Sequence, residues 1–196
     1  MGLRRTVDPV ISMIEFEDAI KQVELPSDDT VHTRHLQRAI RAAIDDAERC
    51  TRRAFITQTW RLSLREFPPR IYLPRPPLQS ITSITYVDSF GATQTLSSSL
   101  YQVTLDDSPA YVEPAFSEAW PSIRSETVDP IKITYVAGFG DDAENIPEQY
   151  KNVIYELVAF RYFCRGDTDQ DIPRHIKWSL KSLRCGAQYD YFGVKD

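Results

Sequence analysis

Apolar residues first recur at helical spacing in Phe16, Ala19, Ile20 and Val23. Ser12 and Glu15 stand before them, three apart, in the order of a capping box, so the pattern predicts a helix over residues 12–24. Leu25-Pro26-Ser27-Asp28-Asp29 stops it. A longer helix is expected over residues 30–53, with Leu36, Ile40, Ala43, Ile44 and Ala47 on one stripe. Opposite that stripe lie Arg34, Arg38, Arg41, Asp45, Glu48, Arg49 and Arg52. Their spacing offers ion pairs at Arg41–Asp45, Asp45–Arg49 and Glu48–Arg52.

The period then changes from helical to two. In Thr59-Trp60-Arg61-Leu62-Ser63-Leu64-Arg65 the apolar residues Trp60, Leu62 and Leu64 alternate with polar ones, the mark of a half-buried strand. Pro68, Pro69, Pro74, Pro76 and Pro77 impose an extended connection, because proline lacks the amide proton and biases its predecessor away from helix. Ile81–Val87 and Thr93–Leu96 flank Asp88-Ser89-Phe90-Gly91, a hairpin signal. Tyr101–Leu105 and Ala110–Val112 flank Asp106-Asp107-Ser108-Pro109, a second one. Ile131–Ala137 ends a β region expected over residues 57–137.

Helix returns after Gly138-Phe139-Gly140. Pro147 suits a first helical turn, and Tyr150, Val153, Ile154, Leu157, Val158 and Phe160 make the apolar side of a helix over 147–164. Pro173 opens a last helix, with Ile172, Ile176, Leu180 and Leu183 on one side. Each helix has a stripe it cannot bury alone, so the stripes must cover one another. The expected fold class is α+β: a bundle of about four helices carrying a central antiparallel β-hairpin insertion. The expected organisation is a core over residues 1–165, followed by a C-terminal helix and an extended aromatic tail over 166–196.

Composition narrows the function classes. The chain has 196 residues, 42% hydrophobic and 11% aromatic, enough for a packed core. A net charge of −5 argues against a dedicated nucleic-acid binder but permits a protein past which DNA slides. No apolar run reaches the length of a membrane span, and Met1-Gly2-Leu3-Arg4-Arg5 leads into Thr, Asp and Pro rather than a secretory leader's apolar run. Cys50, Cys164 and Cys185 are far apart and odd in number, as expected of reduced thiols in a cytosolic product.

Candidate chemistry is sparse. His32 and His35 stand three apart at a helix start, with no third ligand at metal spacing beside them. Asp141, Asp142 and Glu144 lack the EF-hand order and read as a solvated loop before a helix. Gly138-Phe139-Gly140 lacks the third glycine and the Lys-Ser/Thr of a phosphate cradle. No catalytic residue, metal ligand or cofactor-binding residue is expected, and the chain does not read as an enzyme.

Two features point to contacts instead. Arg161 falls within the apolar stripe of the third long helix, where an unpaired charge is costly; it either snorkels from the helix end or forms an intersubunit ion pair. The last helix carries Arg174, Lys177, Lys181 and Arg184 along one edge, with no acid between Ile172 and Gln188. Together with Tyr189, Tyr191 and Phe192 in the tail, this edge is the candidate partner-binding surface for an acidic protein.

Five stretches, in order, carry a family resemblance. They are Asp46-Ala47-Glu48-Arg49-Cys50-Thr51-Arg52-Arg53-Ala54-Phe55-Ile56-Thr57-Gln58-Thr59-Trp60; the proline-bracketed Leu73-Pro74-Arg75-Pro76-Pro77-Leu78 running into Gln79–Asp88; Trp120-Pro121; Ile133-Thr134-Tyr135-Val136-Ala137-Gly138-Phe139-Gly140; and Ile146-Pro147 before the Leu157–Phe160 helix. Over residues 12–165 the chain resembles the head–tail connector, or adaptor, proteins of long-tailed bacteriophages. Phe160-Arg161-Tyr162-Phe163 departs from that family's Trp-Tyr-Glu-like run, and the stretch from Asp167 onward has no counterpart in its pattern.

The resemblance implies a homo-oligomeric ring, usually a dodecamer, under the portal protein of a virion neck. Its partners would be the portal, stopper or tail-completion proteins, further copies of itself, and double-stranded DNA passing through without specific binding. It would assemble in the host cytoplasm, without a membrane or a cofactor. The alternative readings are another neck protein, namely a stopper or tail-completion protein, and more remotely a small DNA-binding regulator or a hydrolase.

Overall fold

The alternation at Trp60, Leu62 and Leu64 sets the centre of the molecule. In a computed structural model, which describes residues 1–10, 12–24, 30–105, 109–124, 126–164 and 171–185, strand β2 (Gln58–Leu64) buries those three side chains and leaves the residues between them half-exposed. It pairs antiparallel with β8 (Ile131–Ala137), with Trp60 opposite Tyr135 and Leu62 opposite Ile133. The two strands bury matched positions, so register and burial fix one another.

The remaining strands are β1 (Gly2–Val7), β3 (Ile71–Tyr72), β4 (Leu78–Val87), β5 (Thr93–Thr95), β6 (Tyr101–Thr104) and β7 (Tyr111–Pro114). A five-stranded sheet runs in the order β1-β2-β8-β4-β5, and a three-stranded sheet in the order β3-β7-β6. Both expected hairpins form: Val87 faces Thr93, and Thr104 faces Tyr111. The first turn is held by Asp88, whose carboxylate accepts from the Phe90 and Ala92 amides and from Gln94 Nε2. The inner face of the larger sheet and the smaller sheet share a core that includes Ile71, Leu73, Ile84, Val112, Ile133 and Tyr135. Tyr135 is fully buried, and its hydroxyl donates to the Pro74 carbonyl at 2.7 Å.

The helices are α1 (Phe16–Gln22), α2 (Thr30–Thr51), α3 (Glu148–Phe163) and α4 (Arg174–Ser182), and they build a second core. Leu36, Ala43 and Ala47 of α2 meet Ile154, Leu157 and Val158 of α3, as their stripes require. The fold is therefore α+β, with four described helices and antiparallel sheets.

The two cores join where α2 runs into β2 and β8 runs into α3. Ala54 points into the β core, while its neighbours Phe55 and Ile56 point into the helical one. The two connections lie side by side: the Phe139 amide donates to Phe55 O at 2.8 Å, and the Thr57 amide to Gly140 O at 2.9 Å. Gly138 sits there with φ +140°, and a Cβ would fall 2.6 Å from the Ile56 carbonyl. Glycine is the residue that tolerates both the angle and the approach. Phe55 and Phe139 then close on Tyr150, at 5.4 and 5.3 Å between ring centroids.

Three expectations are corrected. The Ser12–Glu15 capping box does not form: Ser12 Oγ accepts from the Ile14 amide, and α1 starts at Phe16 with no side-chain cap on Glu15. A strand precedes the region expected to hold the β structure, since β1 extends the sheet from Gly2. The exposed face of α2 does not form the three expected ion pairs; Asp46 takes Arg49 instead, and Glu48 turns inward.

Candidate functional site

The last helix has two faces of opposite character. Ile176 and Leu180 are buried in the helical core, with Ile172 and Leu183 packed against it. Beyond the helix, the Cys185 amide donates to Thr51 O at 2.8 Å, and Arg53 Nε donates to Leu183 O at 3.3 Å. These contacts fix the direction of the opposite face. Arg174, Lys177 and Lys181 are exposed there, on the predicted edge.

Trp178 belongs to the same face. Positions 174, 177, 178 and 181 are three or four apart, so the four side chains form one patch. Trp178 is 74% exposed, unusual for the most costly residue to leave in water. Lys177 is balanced from just outside the helix: its Nζ lies 2.5 Å from an Asp171 oxygen, a contact that holds the Asp171 carboxyl below its ordinary range. His175 approaches Glu156 of α3 at 3.8 Å. Arg184 is half-buried, with a buried Nε that has no hydrogen-bond partner among the described residues. The structure thus brings Arg174, Lys177 and Lys181 together and sets Arg184 apart. Tyr189, Tyr191 and Phe192 lie outside the described residues.

Arg161 pairs within the chain. Its Nη2 meets Asp46 Oδ2, while the other oxygen of Asp46 meets Arg49 Nη2. Asp46 is buried on α2 and Arg161 reaches it from α3, so the pair ties the two longest helices together. Inside the fold, then, Asp46 answers the Arg161 charge, while Arg161 Nε is buried with no hydrogen-bond partner among the described residues.

A second ionic centre escaped the pattern of the sequence. Glu48 stands on the polar side of α2 by spacing, yet it is buried at the junction of the two cores. Its Oε1 accepts from the Phe55 amide at 3.0 Å and from Gln58 Nε2 at 2.7 Å, and Arg5 of β1 approaches Oε2 at 3.5 Å. Arg75 donates to the Glu48 carbonyl, and both arginines lie over the Trp60 ring, at 6.0 and 5.2 Å. Burial pushes the Glu48 carboxyl above the ordinary range, and the Phe55 and Gln58 hydrogen bonds and the two arginines only partly offset it. Glu48-x(6)-Phe55 carries no recognisable motif. A glutamate near the end of a long helix, with a Gln ten residues on at the start of a strand, is the only hint.

Beside Glu48 opens a cavity of about 570 Å³, lined among others by Arg5, Asp8, Met13, Arg41, Asp45 and Phe55. Its charges are of both signs, and among the described residues no nucleophile is paired with a base there. No group of three or more His, Cys, Asp or Glu side chains among the described residues could hold a metal ion. His32, a candidate ligand by spacing, packs on Tyr162 of α3, at 6.4 Å between rings. No described helix is long and apolar enough to cross a membrane.

No protein-family profile matches the chain, and no curated protein matches it. Solved structures do. The chain is similar to one in the neck of an empty gene transfer agent particle computed with C6 symmetry, at TM-score 0.81 and 18% identity. It is similar to one in the virion of a native gene transfer agent particle, at TM-score 0.79 and 21% identity. A third likeness is to the neck of the native particle computed with C12 symmetry, at TM-score 0.75 and 18% identity. Each covers 97% of this chain and 98% of the other. At these identities the likeness is one of fold, and it runs end to end through both cores and α4.

Proposed function

We propose that this protein is a structural subunit of the neck of a phage-like particle: a head–tail connector that forms a homo-oligomeric ring beneath the portal and surrounds the DNA exit channel. The carrying observation is the fold shared over nearly the full length with chains of gene transfer agent necks solved with C6 and C12 symmetry. The five motif stretches resembling connector proteins support the same role independently. In this reading the chain is not an enzyme, and it assembles in the host cytoplasm before residing in the virion.

Mechanism follows from symmetry and charge. A ring of identical subunits uses one heterologous interface repeated until the rotation closes. A portal displaying the same symmetry engages every subunit at once, so contacts weak in isolation become strong on the template. The α4 patch of Arg174, Lys177, Trp178 and Lys181, with Tyr189, Tyr191 and Phe192 beyond it, supplies a face for an acidic partner surface: cations at the rim and an indole to bury. Residues 1–165 act as the ring-forming core and 166–196 as the docking segment.

The test is imaging. A map of particles carrying a tagged copy of this chain should place the tag in a ring directly against the portal. Density in the layer below would assign the chain to the stopper or tail-completion position. Absence from the neck would overturn the reading.

A further inference from the structure

The outward face of the five-stranded sheet carries cations, hydroxyls and a few valines, and no acid on its strand positions. Leu3, Arg5, Trp60, Leu62 and the buried β8 positions point inward, so the alternate positions point out. On β1 these include Arg4 and Thr6; on β2, Thr59, Arg61 and Ser63; on β8, Lys132 and Thr134. None of them is buried. Across the strands Arg4 stands directly opposite Arg61, and Lys132 is opposite Ser63, one diagonal step from Arg61. Among the described residues, Arg4, Arg61 and Lys132 form no ion pair and donate no side-chain hydrogen bond.

This arrangement is not what a merely solvated face requires. Like charges placed directly opposite one another destabilise a sheet, and solvated faces usually relieve them with cross-strand acids. The chain has acids to spare, 28 Asp and Glu against 23 Lys and Arg, yet none stands on the strand positions of this face. The face carries the valines Val7, 53% exposed, and Val136 on either side of Thr59, but on β1, β2 and β8 it has no aromatic anchor of the kind a protein interface needs at its centre. The α4 patch has one in Trp178; around its valines the sheet face presents Thr, Ser, Arg and Lys. Those are the side chains that contact nucleic-acid phosphates.

We propose that the outward face of the five-stranded sheet is a sequence-independent contact surface for the phosphate backbone of double-stranded DNA, carried by Arg4, Arg61 and Lys132. The acidic balance of the whole chain keeps this contact weak in one subunit. Repetition around a ring sums it, holding a duplex while leaving it free to slide. The neck reading supplies only the source of the duplex, since binding is measured on the isolated chain. Absence from particle necks would remove that source and leave the binding result standing.

The experiment is fluorescence anisotropy of a short labelled duplex with the full-length protein across a salt series. Wild type should bind at low salt. The triple variant Arg4→Gln, Arg61→Gln, Lys132→Gln should lose roughly tenfold or more in affinity, and its log–log salt slope should flatten by about 2 to 3. Arg61→Lys should retain binding, which separates charge from fold, and Arg174→Gln with Lys181→Gln should leave it unchanged. Failure of wild type to bind at low salt overturns the proposal. So does a correctly folded triple variant that binds as wild type does.

Discussion

Burial disfavours the charged form of Glu48. Its folded value is raised, so the folded state takes up a proton more readily than the unfolded chain does. The sign follows: its contribution to stability is full below the ordinary glutamate value, and falls as pH climbs through the raised one. Glu48→Gln keeps an acceptor for the Phe55 amide and removes the titration. Urea melts should therefore show the variant gaining on wild type as pH rises above the ordinary glutamate range; parallel pH profiles would reject this. Glu48→Ala should instead cost about 1 to 3 kcal/mol, because the Phe55 amide and Gln58 lose their buried acceptor. Asp46→Ala removes the partner of Arg161. Arg161 is more than a third exposed, so solvent relieves part of the penalty, and a loss of about 1 to 3 kcal/mol is expected rather than the full cost of a buried orphan. Residue-level roles of this kind are poorly legible in sequence. Glu48 falls on the polar side of an amphipathic pattern, and only the turn of the chain at Ala54–Phe55 brings β1, β2 and Arg75 over it; Asp46 meets Arg161 only because α3 packs on α2. Arg161 was legible as a charge in need of a partner, but not which partner.

At the scale of elements, period carried most of the information. β2 and β8 alternate strictly because one face is dry, and both hairpins announce themselves by turn residues between β-rich runs. β1 did not, because Gly-Leu-Arg-Arg-Thr-Val alternates only through Leu3 and Arg5, and Arg5 lies inward on Trp60 and Glu48 rather than presenting an apolar side chain. The capping box failed since Ser12 bonds two residues ahead, spending the oxygen before the helix begins. α4 was legible as an amphipathic helix with a basic edge. Its depth in the bundle and the exposure of Trp178 were not, as a period says which face is apolar and not what covers it. The two faces should separate cleanly. Ile176→Ala or Leu180→Ala should cost about 2 to 4 kcal/mol each by opening space in the helical core, read as a lower melting temperature. Trp178→Ala should leave the melt within about 0.5 kcal/mol of wild type, as for a surface position. A large loss there would mean that the indole serves the fold and would remove it from the docking patch.

For the whole molecule, two cores joined through adjacent connections leave distinct surfaces for distinct tasks, and the proposed ring uses them differently. The end-to-end likeness to neck chains is one of fold at about one identical residue in five, as expected where period and turn chemistry, more than side-chain identity, specify the elements. The α4 patch should then divide its labour by physics. Arg174, Lys177 and Lys181 act over distance, so replacing them with Gln should slow association with an immobilised portal and flatten its salt dependence. Lys177, already balanced by Asp171, should matter least of the three. Trp178 acts only on contact. Burying an indole that is 74% exposed in the free chain is worth about 2 kcal/mol or more at an interface centre, so Trp178→Ala should speed dissociation roughly thirtyfold and leave the salt slope nearly unchanged. Tyr189, Tyr191 and Phe192 are expected to behave as Trp178 does. Surface-based kinetics at two ionic strengths distinguishes the classes. If the Gln variants associate like wild type, the basic edge is a solvated face. If Trp178→Ala dissociates no faster, the portal is met by another surface of the ring.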